Sequence, residues 1–496
     1  PPGPAPAPGR PDVVLIVADT LRADVAVDPS LPTPNLDRLR QGGLWARAVA
    51  APANQTLPSH LALLTGLRIE KTGMRSNRSP WPPAALLDEV WGMRTLAQRF
   101  AAAGWRTAAV AANPLLSVVP PGAQDFAEGF EVWDPQQVID PWWELLAWKD
   151  KQCWYGWLVP LARLRPAANF ALRRTIYRQA RFFYRPHVRE GERTAAAALA
   201  RIEELAAGDR PYFLFVNFYD PHTPYIAPPP FAGSESNAVV PRGYRNAPLD
   251  DFPARKELRA EIARVGGEGG ERGRELGAFL RARYREEVRY FDQQLGRLLV
   301  GIEATGRPTL VLFTGDHGEM FGEHGSVEHS RTLFEGEMTV PLILAGPGVP
   351  AGRELREPAE LTDAAFTLLE LAGVSTAGAD GRNLLAPAGT AAPPALSVMA
   401  GAVAVRDGRW KLHLRVSWPH GGTEPVLEPV GLYDLAADPG ETRDLADRRP
   451  AELARLLAVA RSRLADDLLP RLPERRLDAA EERRLSGLGY TGDADG

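Results

Sequence analysis

The chain has one cysteine, Cys153, among 496 residues, with only five methionines and eight histidines. A single thiol excludes an intrachain disulfide, a paired-cysteine redox motif and a structural zinc cluster built on several thiolates. It leaves the redox compartment open, since periplasmic proteins can also lack disulfides. Long apolar runs are missing too, so no segment reads as a membrane-spanning helix. Nor is there an excess of one charge: 58 Lys and Arg stand against 62 Asp and Glu, a formal net charge of -4. Without a global basic field the chain has little to offer a polyphosphate backbone, which argues against nucleic acid as a partner. Any recognition of an anion is then local. Internal repeats are also lacking.

What is present is globular in composition, 45% hydrophobic and 24% charged, at a length that allows a large core and more than one domain. Short β-branched and aromatic runs end in polar residues and alternate with helical patterns. VVLIVAD (13–19), TAAVAAN (107–113), YFLFVNFYD (212–220), TLVLFTGD (309–316) and VPLILAG (340–346) read as strands buried on both faces. The pattern predicts an α/β fold with a largely parallel central sheet flanked by helices. Residues 1–10, PPGPAPAPGR, read as a disordered Pro-rich linker left after removal of a targeting or anchoring segment, with an extracytoplasmic location expected. Residues 11–389 form the expected catalytic α/β domain. It is interrupted at about 139–189 by a Trp- and Arg-rich helical insertion, read as the core of a helical subdomain, a cap over the site or a membrane-contacting surface. The Gly-rich charged stretch 263–276 reads as a mobile loop before the helix RARYREEVRYFDQQLGRLL. Residues 390–496 are expected to form a smaller C-terminal subdomain of antiparallel strands and a helix, the helix beginning at Ala451.

Ligands of parallel sheets sit beyond the carboxyl ends of the strands, so Asp19, Asp220 and Asp316 are candidates to converge on one crevice. In NQTLPSHLALLTG, Pro58 fits the first turn of a helix, which places the Thr56 hydroxyl at a helix N-terminus, where free N–H groups favour negative charge. Asn54, Gln55 and Thr56 also spell a glycosylation triplet, read as accidental. Five of the eight histidines lie in three short segments: His60 in TLPSHLALLTG, His222 in FYDPHTPY, and His317, His324 and His329 in GDHGEMFGEHGSVEHS. Asn113 closes the second strand and is a further candidate for substrate contact.

These segments carry a resemblance. DTLRAD, TPNLDRL, TLPSHLALLTG, DPHTPY, GDHGEMFGEHG, VPLIL, LYDLAADPGETRDL and the closing GLGY occur in the order found in the sulfatase family of the alkaline phosphatase superfamily. The resemblance implies an alkaline-phosphatase-like sandwich and a divalent cation held by Asp19, Asp316 and His317 beside Thr56, itself a metal-contacting nucleophile. It also implies that His222 and His329 contact the oxygens of an anionic ester, with His60 and His324 as further catalytic candidates. Two carboxylates and an imidazole suit Mn²⁺ or Zn²⁺, with Ca²⁺ the alternative. A second metal is not expected, because Leu361 and Thr362 precede Asp363 where further ligands would be needed; Asp363 is read as a helix N-cap.

Many sulfatases have a second aspartate after the first and an asparagine after the later one, where this chain has Thr20 and His317. Sulfatases also read CxPxR or SxPxR, and the first residue is oxidised to formylglycine. Threonine has a secondary Cβ, so the same oxidation would give a ketone, and His60 stands in place of the arginine. Thr56 therefore reads as an unmodified nucleophile, and the expected activity is hydrolysis of phosphodiesters or monoesters through a phosphothreonine intermediate. The alternatives are a phosphoethanolamine-type transferase acting on lipid or glycan, a sulfuric ester hydrolase, and a catalytically silent anion-binding relative.

Overall fold

The computed structural model describes residues 9–77, 94–117, 127–135, 190–241, 260–262, 264–265, 270–387, 392–417 and 425–465. The Trp-rich insertion, the closing GLGY and most of the Pro-rich opening lie outside them. Among the described residues no helix is long and apolar enough to cross a membrane.

The strands are β1 (Asp12–Ala18), β2 (Gly43–Ala50), β3 (Arg106–Ala111), β4 (Val132–Pro135), β5 (Tyr212–Phe218), β6 (Thr309–Gly315), β7 (Met320–Phe321), β8 (Val327–Glu328), β9 (Thr339–Ala345), β10 (Arg353–Leu355), β11 (Ala359–Glu360), β12 (Ala395–Met399), β13 (Ala402–Asp407), β14 (Trp410–Ser417) and β15 (Val426–Asp434). The helices used below are α1 (Pro34–Gln41), α2 (Thr56–Thr65), α3 (Leu96–Ala102), α4 (Gly191–Ala206), α5 (Glu271–Ala304), α6 (Leu361–Leu371) and α7 (Pro450–Ala465).

The main sheet has the order β10-β2-β9-β6-β1-β5-β3-β4, with β11 also pairing with β2. Its centre, β6-β1-β5-β3, is parallel. All seven residues of β1 are buried, as its unbroken apolar run requires of a strand covered on both faces. Alternate side chains enter two different cores. Val13, Leu15 and Val17 share one core with Leu61 of α2 and Leu368 of α6, whereas Val14 and Ile16 share the other with Ile202 of α4 and Val288 and Leu295 of α5. The result is a helix–sheet–helix sandwich.

A second, antiparallel sheet, β12-β13-β14-β15, carries α7. Val403, Val405 and Leu412 of that sheet and Leu456 of α7 share one apolar core with Leu61. Direct backbone links reinforce the junction: Ala53 and Val398 form a parallel bridge, and the Val398 N–H donates to the Pro52 carbonyl at 2.8 Å.

The five expected strands are present, but β9 runs antiparallel to both of its neighbours, β6 and β2. The run VPLIL reports burial, which is the same for either direction. β2 gives a weak sequence signal because Arg47 interrupts it; that side chain is exposed and lies over the Trp45 ring. The helix expected after residue 276 begins earlier, at Glu271, inside the stretch read as a loop, and runs 34 residues. Asp363 is the third residue of α6 rather than its N-cap; Glu360 takes that place, and the two complete a reciprocal capping box.

Candidate active site

Asp19, Asn113 and Asp316 follow the carboxyl ends of β1, β3 and β6, and the parallel centre of the sheet brings them to one crevice. Asp19, Asp316 and His317 are fully buried, and one ligand atom from each lies within 4.8 Å of the others. Asp19 Oδ1, Asp316 Oδ2 and His317 Nε2 have no hydrogen-bond partner. Burial first, and the Asp316 charge second, push the Asp19 carboxyl well above the usual range, against the hydrogen bond from Asn113. Two carboxylates and a ring nitrogen left unsatisfied in a buried triangle fit a divalent cation.

The backbone around this triangle is strained and tightly held. Thr20 has φ 56, a left-handed conformation costly for a β-branched residue. Its N–H donates to Asp316 Oδ1 at 3.0 Å, and its carbonyl accepts the Tyr284 hydroxyl at 2.7 Å. Tyr284 Oη in turn accepts the Arg22 N–H at 2.8 Å. The His317 N–H donates to Asp316 Oδ1 at 2.9 Å, and His317 Nδ1 donates to the Gly318 carbonyl at 3.0 Å, which turns Nε2 toward the carboxylates. Gly318 must be glycine here, because a Cβ would lie 2.1 Å from the Gly336 carbonyl oxygen.

Thr56 is the first residue of α2, behind Gln55 as N-cap, and is fully buried with Oγ1 unpartnered. Its hydroxyl is thus not spent on capping. The turn is held instead by Asn77, whose Oδ1 accepts the Leu57 N–H at 2.9 Å and whose N–H donates to Gln55 Oε1 at 2.5 Å. One helical turn on, His60 Nδ1 donates to the Thr56 carbonyl at 2.8 Å and lies 3.6 Å from Asp316 Oδ2. Burial lowers the His60 pKa against the pull of Asp316, and Nε2 has no hydrogen-bond partner.

His329 and His222 form a histidine wall beside His317. Their rings are 4.8 Å apart, and His329 is also 4.8 Å from His317. His329 Nδ1 meets Glu319 Oε1 at 3.1 Å, and left-handed residues on either side, Glu328 (φ 62) and Ser330 (φ 72), present it on a sharp turn. His222 Nδ1 donates to the Thr223 carbonyl at 2.6 Å.

Three expected residues are placed differently. Asn113 supports Asp19: its Nδ2 donates to Asp19 Oδ2 and its Oδ1 accepts the Leu115 N–H. Asp220 turns toward Gly191 at the start of α4 and Tyr290 of α5. His324 is exposed, stacks on Phe334 at 3.5 Å and hydrogen-bonds the Gly440 carbonyl at 2.9 Å, so it ties the loop to the chain beyond β15 and not to the crevice. Other contributors were missed. Asn77, Tyr284 and Glu337 stand in no motif. Asn217 left a signal, a lone amide inside an apolar strand, and its Oδ1 accepts the Asn113 N–H at 2.9 Å.

The sulfatase family model matches residues 11–374, most of the chain and every residue of the crevice. The chain belongs to the sulfatase family. Among curated relatives it is 31% identical over 279 residues to a choline-sulfatase of Rhizobium meliloti (strain 1021), an alignment that covers 52% of this chain and 51% of that protein. It is 26% identical to the multifunctional alkaline phosphatase superfamily protein PehA of Trinickia caryophylli, over 76% of each chain. Among solved structures, the phosphonate monoester hydrolase of Agrobacterium radiobacter superposes with a TM-score of 0.62 at 23% identity, covering 92% of this chain and 96% of that one. This sulfatase-family protein thus has the fold expected of it, and its relatives' names span sulfate and phosphonate esters.

Proposed function

We propose that the protein hydrolyses phosphate esters, diesters or monoesters, with Thr56 as an unmodified nucleophile. The carrying observation is the Thr56 hydroxyl itself: buried, unpartnered and at the head of α2, within one helical turn of a histidine that touches Asp316. Asp19, Asp316 and His317 would hold one divalent cation, Mn²⁺ or Zn²⁺ by the mixed oxygen and nitrogen donor set. Such a cation would lower the pKa of a neighbouring hydroxyl and withdraw charge from the ester.

Thr56 Oγ attacks phosphorus in line, the bond to the leaving alcohol breaks, and its oxygen takes up a proton from the histidine wall. His60, one turn along α2 with Nε2 unpartnered, would be the group to receive the Thr56 proton. His222 and His329 face the ester oxygens, and Glu319 holds the His329 ring in place. Water then attacks the phosphothreonine and regenerates the hydroxyl. A formylglycine route has no counterpart at a secondary carbon.

The test is a matched set of aryl phosphate monoesters, phosphodiesters, phosphonates and sulfates, assayed with Mn²⁺, Zn²⁺ and Ca²⁺. Phosphorus esters should turn over fastest, and Thr56→Ala should lose at least about 10³-fold in kcat while Thr56→Ser retains activity. Fastest turnover of the sulfates, with Thr56 shown unmodified by mass spectrometry, would overturn the reading.

A further inference from the structure

Glu337 is fully buried and takes no part in the chemistry above, yet it touches three of the segments that build the crevice. Its Oε1 accepts the Thr332 N–H at 3.1 Å and the Thr332 hydroxyl at 2.7 Å, three residues beyond His329. Its Oε2 accepts Asn54 Nδ2 at 3.0 Å, two residues before Thr56. Asn54 Nδ2 also reaches the Thr332 carbonyl at 2.8 Å, so the amide and the carboxyl form one bridge between the two turns. The backbone of the same residue closes the third side. The Glu337 carbonyl accepts the Gly318 N–H at 2.6 Å, directly after His317, and the Glu319 N–H donates to the Gly336 carbonyl at 3.0 Å.

Deep burial, with the Glu319 charge adding to it, holds the Glu337 carboxyl up at about 8, despite the hydrogen bonds from Thr332 and Asn54. A group in that condition is a hydrogen-bonding strut more than a charge. Asn54 is likewise fully buried, and its Oδ1 has no partner.

We propose that Glu337 is a positioning residue that fixes the nucleophile turn, Asn54 to Thr56, against the turn that carries His329, acting through the Asn54 amide. This rests on the reading of Thr56 as nucleophile. A nucleophile and its facing groups must be held to a fraction of an ångström, and a shift of about 1 Å can cost about 100-fold in rate. The bridge is suited to supply that constraint because it is buried, short and anchored on the Thr332 backbone and, through the Glu337 carbonyl, on the Gly318 N–H.

Replacing the carboxyl by a carboxamide keeps a strut. In Glu337→Gln the amide oxygen can take the place of Oε2 and accept from Asn54 Nδ2, which keeps its bond to the Thr332 carbonyl, while the new NH₂ donates to the Thr332 hydroxyl and only the bond from the Thr332 N–H is lost. Glu337→Ala removes the strut entirely.

The experiment measures Glu337→Ala, Glu337→Gln and Asn54→Ala in the full chain, singly and with the two alanine changes combined. Rates are taken on whichever aryl ester of the panel turns over, so an error in the substrate class leaves the result readable. Glu337→Ala should lower kcat about 10- to 100-fold with KM within about threefold, Asn54→Ala should match it, and the double variant should be no worse than either. Glu337→Gln should restore most of the rate. Backbone hydrogen exchange supplies a readout that needs no turnover: Glu337→Ala should speed exchange in both 53–57 and 329–333. An unchanged kcat, multiplicative losses in the double variant, or faster exchange confined to the Thr332 side would overturn the proposal. Should the alanine variant not fold, Asn54→Ala and Glu337→Gln carry the same test: loss in the first with retention in the second supports it, and the reverse sinks it.

Discussion

Thr20 holds a left-handed conformation at φ 56 next to a buried carboxylate, and the Tyr284 hydroxyl is the clasp that keeps it there. That hydroxyl accepts from the Arg22 N–H and donates to the Thr20 carbonyl, so Tyr284→Phe leaves a buried donor and a buried acceptor unmet. The expected cost is about 1–3 kcal/mol, read as a lower midpoint in urea unfolding at an unchanged slope. Glu337 gives a pH prediction at the same scale. Its folded pKa, pushed by burial to about 8, exceeds the usual 4.5, so between these values the folded state keeps a proton that the unfolded chain releases. Its contribution is therefore full below pH 4.5 and lost as pH rises through about 8. Melting curves of wild type should decline across that window more steeply than those of Glu337→Gln; equal slopes would show that the carboxyl does not titrate there.

At the scale of elements, the loop from β8 to β9 is gripped from the second sheet. Lys411 of β14 is buried and bridges Glu335 at 2.8 Å and Glu441 at 3.1 Å, while His413 reaches Glu441 at 2.8 Å. Burial pushes the Glu335 carboxyl up, but Lys411 and Arg406 outweigh it and draw it down. Lys411→Met removes the buried cation the two acidic groups share, leaving Glu335 with Arg406 and Glu441 with His413, and should cost about 3 kcal/mol, seen by calorimetry, whereas His324→Ala at the exposed margin should cost less than about 1 kcal/mol. The strands at the centre of the main sheet were legible in sequence because burial on both faces leaves an unbroken apolar run. The direction of β9 was not, since it is set by the strand partners and not by the run itself. Among the candidate site residues, Asp19, Asp316, His317 and Thr56 were legible because they stand in motifs at strand or helix ends, and His60 because it shares the motif of Thr56. Asn77, Tyr284 and Glu337 did not, because each acts by filling one hydrogen-bonding vacancy in three dimensions that no spacing along the chain encodes.

For the whole molecule, a cation held by Asp19, Asp316 and His317, as proposed above, would make folding and cation binding one equilibrium. Chelation should lower the melting temperature, and restoring cation to about 100 times its dissociation constant should return about 2.7 kcal/mol. Asp316→Asn should abolish that dependence, and a melting temperature indifferent to chelator would argue against a cation at this place. The bridge between Ala53 and Val398 sets a further condition on the molecule's life. Synthesis proceeds from the N-terminus, so the segment leading to Thr56 emerges more than 300 residues before the strand that zips against it. A ribosome-bound chain thus carries all of its candidate catalytic residues, through His329, well before β12 is present to pair with the segment that leads to Thr56.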